Sequence, residues 1–143
     1  MNAIPMTEAP RARPPLAIQL CVLLLASLGV AALWTLVSLA VNRHCAWMAV
    51  IAAVDAAVVL RFMRMPAGIL RIASTLASTA ITIVVANWWI AGNQIGGVIG
   101  LPPWDAVTRM GPAHAWTLAG LANGPGEWAW YGVALIAAVV AAR

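Results

Sequence analysis

Apolar residues run almost unbroken from Leu16 to Val41, from Cys45 to Phe62 and from Ile69 to about Ala91. Polar residues gather in the short breaks between these runs. About 20 apolar residues suffice to cross a bilayer as a helix, so the pattern predicts membrane spans rather than a soluble core. The break Asn42-Arg43-His44 is long enough to join two antiparallel helices, and Met65-Pro66-Ala67-Gly68 reads as a turn between arginines. After Asn87-Trp88-Trp89 the pattern changes. Gly92, Gly96 and Gly100 follow at four-residue spacing with Asn93 and Gln94 among them, and Leu101-Pro102-Pro103-Trp104 stops a helix. A short helix is expected over Asp105–Ala122, capped by Asp105 and kinked or split at Gly111-Pro112. Asn123-Gly124-Pro125-Gly126 signals a turn, and a last apolar run goes from Glu127 or Trp128 to Ala142, short for a crossing.

These elements predict an all-α membrane protein in one domain over 16–143: a bundle of four spans, with an interfacial segment at 92–126 between spans three and four. Residues 1–15, rich in proline with Arg11 and Arg13, read as a disordered arm. Leu16–Val41 is too long for the apolar core of a signal peptide and reads as an uncleaved span.

Composition strengthens the membrane reading. The chain is 64% hydrophobic and 8% charged, with mean hydropathy +0.92, where soluble domains carry about 25% charged residues. Net charge is +4 and every base is arginine. The arginines sit in caps between apolar runs, which fits topology and gives no reason to expect a nucleic-acid partner. With the N-terminus inside, Arg11, Arg13, Arg61, Arg64, Arg71 and Arg143 are cytoplasmic and only Arg43 and Arg109 are outside. That bias predicts a bacterial inner-membrane protein with both termini cytoplasmic and 92–126 outside. The same GC-rich codon bias that favours arginine over lysine favours alanine, so alanine by itself is a weak packing signal here.

Against this background Asp55 stands out. It is the only charge between Arg43 and Arg61. A carboxylate at mid-membrane costs several kcal/mol, so it must be protonated, paired or turned to a polar cavity. No arginine falls at its depth, and its level neighbours are hydroxyls: Ser27, Thr79 and Thr82. Thr75, Ser78, Thr79 and Thr82 share one helix face. Asp55, Thr79 and Thr82 form a candidate membrane polar site, either a proton- or cation-coupled path or a hydrogen-bonded helix interface. The glycine ladder fits close backbone approach or an interfacial loop.

On the outer side, Asp105, Arg109, His114 and Glu127 form a candidate polar cluster, with a solvated loop as the plainer alternative. His44 and His114 lie at a span end and in a loop, not at matched depth inside spans, so neither haem nor metal is expected. Cys21 and Cys45, roughly 36 Å apart along a helix, cannot pair. No hydrolase, metalloprotease, phosphotransferase or nucleotide-binding motif occurs, and no cofactor is expected.

Four spans in a short chain with one membrane carboxylate resemble the small multidrug-resistance transporters in architecture alone. That family's acid lies in the first span, whereas Asp55 is in the second, and the long outer segment is foreign to it. The expected function is a non-catalytic inner-membrane component, an accessory or assembly subunit whose partners are lipid and other membrane subunits or further copies of itself. A small oligomeric transporter using Asp55 is the alternative, and an enzyme using the outer cluster is the third.

Overall fold

The computed structural model describes residues 13–143. The expected arm lies almost wholly outside them. Among the described residues there are six helices: α1 (Leu16–Val41), α2 (Met48–Phe62), α3 (Ile69–Ile99), α4 (Pro103–Arg109), α5 (Pro112–Ala122) and α6 (Pro125–Ala142). No strand occurs among the described residues. α1, α3 and α6 are each long and apolar enough to cross a membrane. α2, at 15 residues, is shorter, and it packs against all three.

The chain doubles back three times. Leu23 of α1, Ala56 and Leu60 of α2, and Met65 form one buried cluster. A second cluster joins Trp34 of α1, Met48 and Ala49 of α2, Ile90 of α3, and Tyr131 and Ala134 of α6. The start of α1, the end of α2, the start of α3 and the end of α6 therefore share one end of the bundle. Their other ends share the opposite one, with α4 and α5.

Alanine makes the α2–α6 contact. On α2 the buried positions are Met48, Ala49, Ala52, Ala53, Ala56, Ala57 and Leu60, and on α6 they are Tyr131, Ala134, Ala138 and Ala142. Both sets recur at helical spacing, and small side chains let the backbones approach closely. The alanines discounted in the sequence on compositional grounds are thus the seam of the bundle. α1 meets α3 through hydroxyls, Ser27 Oγ lying in hydrogen-bond contact with Ser78 Oγ.

The α1–α2 connection is pinned to α1. Asn42 adopts the left-handed conformation (φ 53°) that ends a helix, and its N–H donates to the Leu39 carbonyl. The fully buried Trp34 donates its indole N–H to the His44 carbonyl at 2.9 Å, and Ser38 Oγ donates to the same oxygen at 3.1 Å. The second run starts its helix at Met48, not Cys45, because Cys45 is itself left-handed at φ 46°.

Two expectations about the outer segment change. The third helix does not end near Ala91 but runs through the glycine ladder to Ile99, and Gly100 ends it at φ 69°. Each glycine costs a helix about 1 kcal/mol relative to alanine, and packing with α4 offsets this. A Cβ on Gly92 would lie 2.5 Å from Val107 Cγ2 and 3.0 Å from Val107 Cα, and one on Gly96 would lie 2.9 Å from Ala106 Cβ. α4 can lie on α3 only because these side chains are missing. The helix expected over Asp105–Ala122 is two helices parted at Met110-Gly111, and Asp105 sits within the first turn of α4, not at its cap. Proline opens α4, α5 and α6 at the position where its missing N–H costs nothing.

Candidate functional site

Asp55 is the middle residue of α2. The alanine face of the helix turns into the bundle, so Asp55 falls on the outside, in a shallow apolar depression with Val50, Ile51, Val54 and Val58. Ile51, Val54 and Val58 are exposed. No hydrogen bond or ion pair reaches the carboxyl from any described residue. A carboxyl has up to four acceptor sites, and no described residue fills any of them.

The hydroxyls expected beside it are elsewhere. Thr79 and Thr82 are fully buried in the bundle, and their Oγ1 atoms donate to the carbonyls of Thr75 and Ser78, one turn back, at 2.8 and 2.9 Å. Thr75 does the same to Arg71. With its hydrogens used on its own backbone, the stripe serves the α1–α3 contact through Ser78. The structure does not join Asp55 to Thr79 or Thr82 by a hydrogen bond.

The four outer residues are spread over three helices: Asp105 and Arg109 on α4, His114 on α5 and Glu127 on α6. Arg109 and His114 line one surface depression. No ion pair links any of the four among the described residues, and no cluster of His, Cys, Asp and Glu able to hold a metal is found there. Glu127 occupies the first turn of α6, where a negative charge favours the helix dipole.

Two polar arrangements are not foreshadowed in the sequence. Arg71, read there as a topology charge, is almost fully buried. Its Nε donates to the Ala142 carbonyl and its Nη2 to that of Arg143, both at 2.6 Å, while Nη1 reaches Met65 O at 3.3 Å. Arg61 adds a bond to Ala141 O at 2.8 Å. The last carbonyls of a helix have no partner within it, and a guanidinium supplies both hydrogens and favourable charge.

The second is a ring of Asn87 (α3), Asn123 (between α5 and α6) and Tyr131 (α6). Tyr131 Oη donates to Asn123 Oδ1 at 2.7 Å, Asn123 Nδ2 to Asn87 Oδ1 at 2.8 Å, and Asn87 Nδ2 to Tyr131 Oη at 3.1 Å. The remaining amide hydrogens go to Ile83 O and Ala119 O. All three residues are buried. The ring sits against a cavity of about 370 Å³ between α3, α5 and α6. In the sequence Asn87 marks only where the apolar pattern changes, and Asn123 reads as part of a turn. The available signal was their type: three uncharged hydrogen-bonding side chains flanking apolar runs. No protein-family model, curated protein or solved structure matches this chain.

Proposed function

We propose that the chain is a non-catalytic subunit of a larger membrane complex, attached through the outer face of α2 at Asp55. The observation that carries this reading is the carboxyl itself: it sits mid-helix on an apolar surface with no partner among the described residues. Lipid cannot hydrogen-bond such a group, and leaving it unpaired in hydrocarbon costs several kcal/mol. A neighbouring helix that brings a basic or amide donor to Val54, Asp55 and Val58 removes that cost. A second copy of this chain, aligned alike in the bilayer, would bring acid to acid and bind only if at least one carboxyl kept its proton, so a different protein with a basic or amide donor is the better match.

The membrane in this account is the bacterial inner membrane, crossed four times, with α2 as the short crossing. The end bearing Arg61, Arg64, Arg71 and Arg143 faces the cytoplasm, and α4 and α5 lie at the outer surface. Support comes from the positive-inside rule together with the antiparallel packing of α2 between α1 and α3.

The test is co-purification of the tagged chain from native membranes in mild detergent. Wild type should retain a stoichiometric second protein, and Asp55→Leu should lose it while keeping its own fold. A clean homo-oligomer, or a partner indifferent to Asp55→Leu, would overturn the reading.

A further inference from the structure

The cavity between α5 and α6 has the chemistry of a binding site for a neutral lipid. Both helices pack on α3 but not on each other, and the Asn123–Tyr131 hydrogen bond bridges the root of the wedge between them. At about 370 Å³ the cavity lies within the range of small-molecule sites, roughly 300–1,000 Å³. Ile83, Val84 and Leu135 contribute aliphatic wall, and Trp88, Trp116 and Trp128 contribute rings, the last two at least half exposed. No Asp, Glu, Arg or His is among the lining residues.

The polar ring narrows the ligand further. Both hydrogens of Asn87 Nδ2, both of Asn123 Nδ2 and the one on Tyr131 Oη are already donated. What remains open is acceptor capacity on the two amide oxygens, less on Asn87 Oδ1, which also lies 3.3 Å from Tyr131 Oη, and the indole N–H of Trp88, a lining residue whose buried Nε1 has no hydrogen-bond partner among the described residues. A ligand head that matches this wall carries no charge and both donates a hydrogen bond, to an amide oxygen, and accepts one, from the Trp88 indole; a hydroxyl does both. A carboxylate or phosphate could accept from the Trp88 indole but would meet amide oxygens and no cation, and an ester or ketone could accept there but has no hydrogen for the amide oxygens.

We infer that this cavity binds a membrane lipid with a single hydrocarbon chain and a neutral hydroxyl head, the hydroxyl donating to Asn87 Oδ1 or Asn123 Oδ1 and the chain filling the wedge between α5 and α6. The inference is independent of the role of Asp55, on the far side of α2.

The test uses the full-length chain, delipidated in detergent, and hexadecanol carrying a terminal diazirine as probe. Saturable photolabelling should map to α3, α5 and α6. Unlabelled hexadecanol should compete at least about tenfold better than hexadecanoate at alkaline pH, the equivalent of one good hydrogen bond against a repelled charge. Ala119→Phe, which fills the wedge from α5, should weaken labelling by a similar factor. If that variant fails to fold, Val84→Phe on the exposed wall serves instead. Labelling that never saturates, that spreads equally to the outer face of α1, or that hexadecanoate competes equally well would overturn the assignment. So would labelling unchanged in a folded cavity-filled variant.

Discussion

Arg71 Nε donates to the carbonyl of Ala142 at 2.6 Å, tying the start of α3 to the end of α6. With Nη2 on Arg143 O and Arg61 on Ala141 O, successive carbonyls at the end of α6 meet guanidinium hydrogens. Arg61 and Arg71, on which the proposed orientation rests in part, thus also close the bundle at that end. Hydrogen bonds from a charged donor are worth about 1.5–3 kcal/mol each. Arg71→Leu should lower the stability of the detergent-solubilised protein by about 3 kcal/mol or more, read from the midpoint of denaturant unfolding. Arg71→Lys should recover only part of that, because one ammonium cannot reproduce the fork that reaches two carbonyls. A loss below about 0.5 kcal/mol in Arg71→Leu, the range of ordinary surface substitutions, would show that the clasp does not matter.

The glycines of α3 divide into two kinds. Gly92 faces Val107 at a distance that excludes a Cβ, whereas nothing lies within 4 Å of a Cβ on Gly97. Gly92→Ala should destabilise by about 1–3 kcal/mol, the usual range for overpacking. Gly97→Ala should stabilise by up to about 1 kcal/mol through helix propensity. Adding Val107→Ala to Gly92→Ala should restore part of the loss, because it removes the 2.5 Å contact with Cγ2 but leaves Val107 Cα at 3.0 Å. Protease cleavage within 100–111 offers a second readout and should rise most in the Gly92→Ala single variant.

Tyr131 closes the amide ring. Tyr131→Phe keeps the aromatic contacts with Trp34 and Trp128. It removes the donor to Asn123 Oδ1 and the acceptor of Asn87 Nδ2. Leaving buried polar groups without partners costs about 1–3 kcal/mol each. Since Asn123 links α5 to α6, faster amide hydrogen exchange is expected in α5 (112–122), with α1 and α2 unchanged. Uniform acceleration across all helices would mean that the ring supports the whole bundle and not α5 in particular.

Asp55 should behave in the opposite sense from these three. Its carboxyl has no partner among the described residues, so Asp55→Leu should leave the isolated protein as stable as wild type or more stable. A residue that supports the fold loses stability on removal, and one held for a partner does not. A marked drop in the unfolding midpoint of the purified Asp55→Leu protein would assign the carboxyl a role inside the bundle.

The helices were legible where burial in lipid demands long apolar runs: Leu16–Val41 begins and ends as expected, and the break at Gly111-Pro112 follows from proline chemistry. The course of α3 past Ala91 was not. Gly92 and Gly96 announce close approach, but whether a helix or a loop approaches depends on α4, whose packing is a tertiary fact. Alanine carried the main seam on α2 and α6, yet codon bias and small-residue packing leave the same mark in a single sequence. Asp55 was visible as a lone charge, but its outward direction follows only once Ala49, Ala53 and Ala56 are known to face inward. Asn87, Asn123 and Tyr131 escaped notice because a hydrogen-bonded ring assembled from three distant positions has no local signature.

The central claim is that the outer face of α2 meets a partner helix. A photoreactive amino acid at Val58, which is 40% exposed on the same face as Asp55, tests it in native membranes. Leu25 on α1, 69% exposed, is the control that should face lipid. The account predicts one discrete protein adduct from Val58, heavier than the chain by a partner of constant mass, absent from Leu25 and lost when Asp55→Leu is added. Lipid adducts alone from Val58, a dimer of this chain, or an adduct unaffected by Asp55→Leu would contradict it.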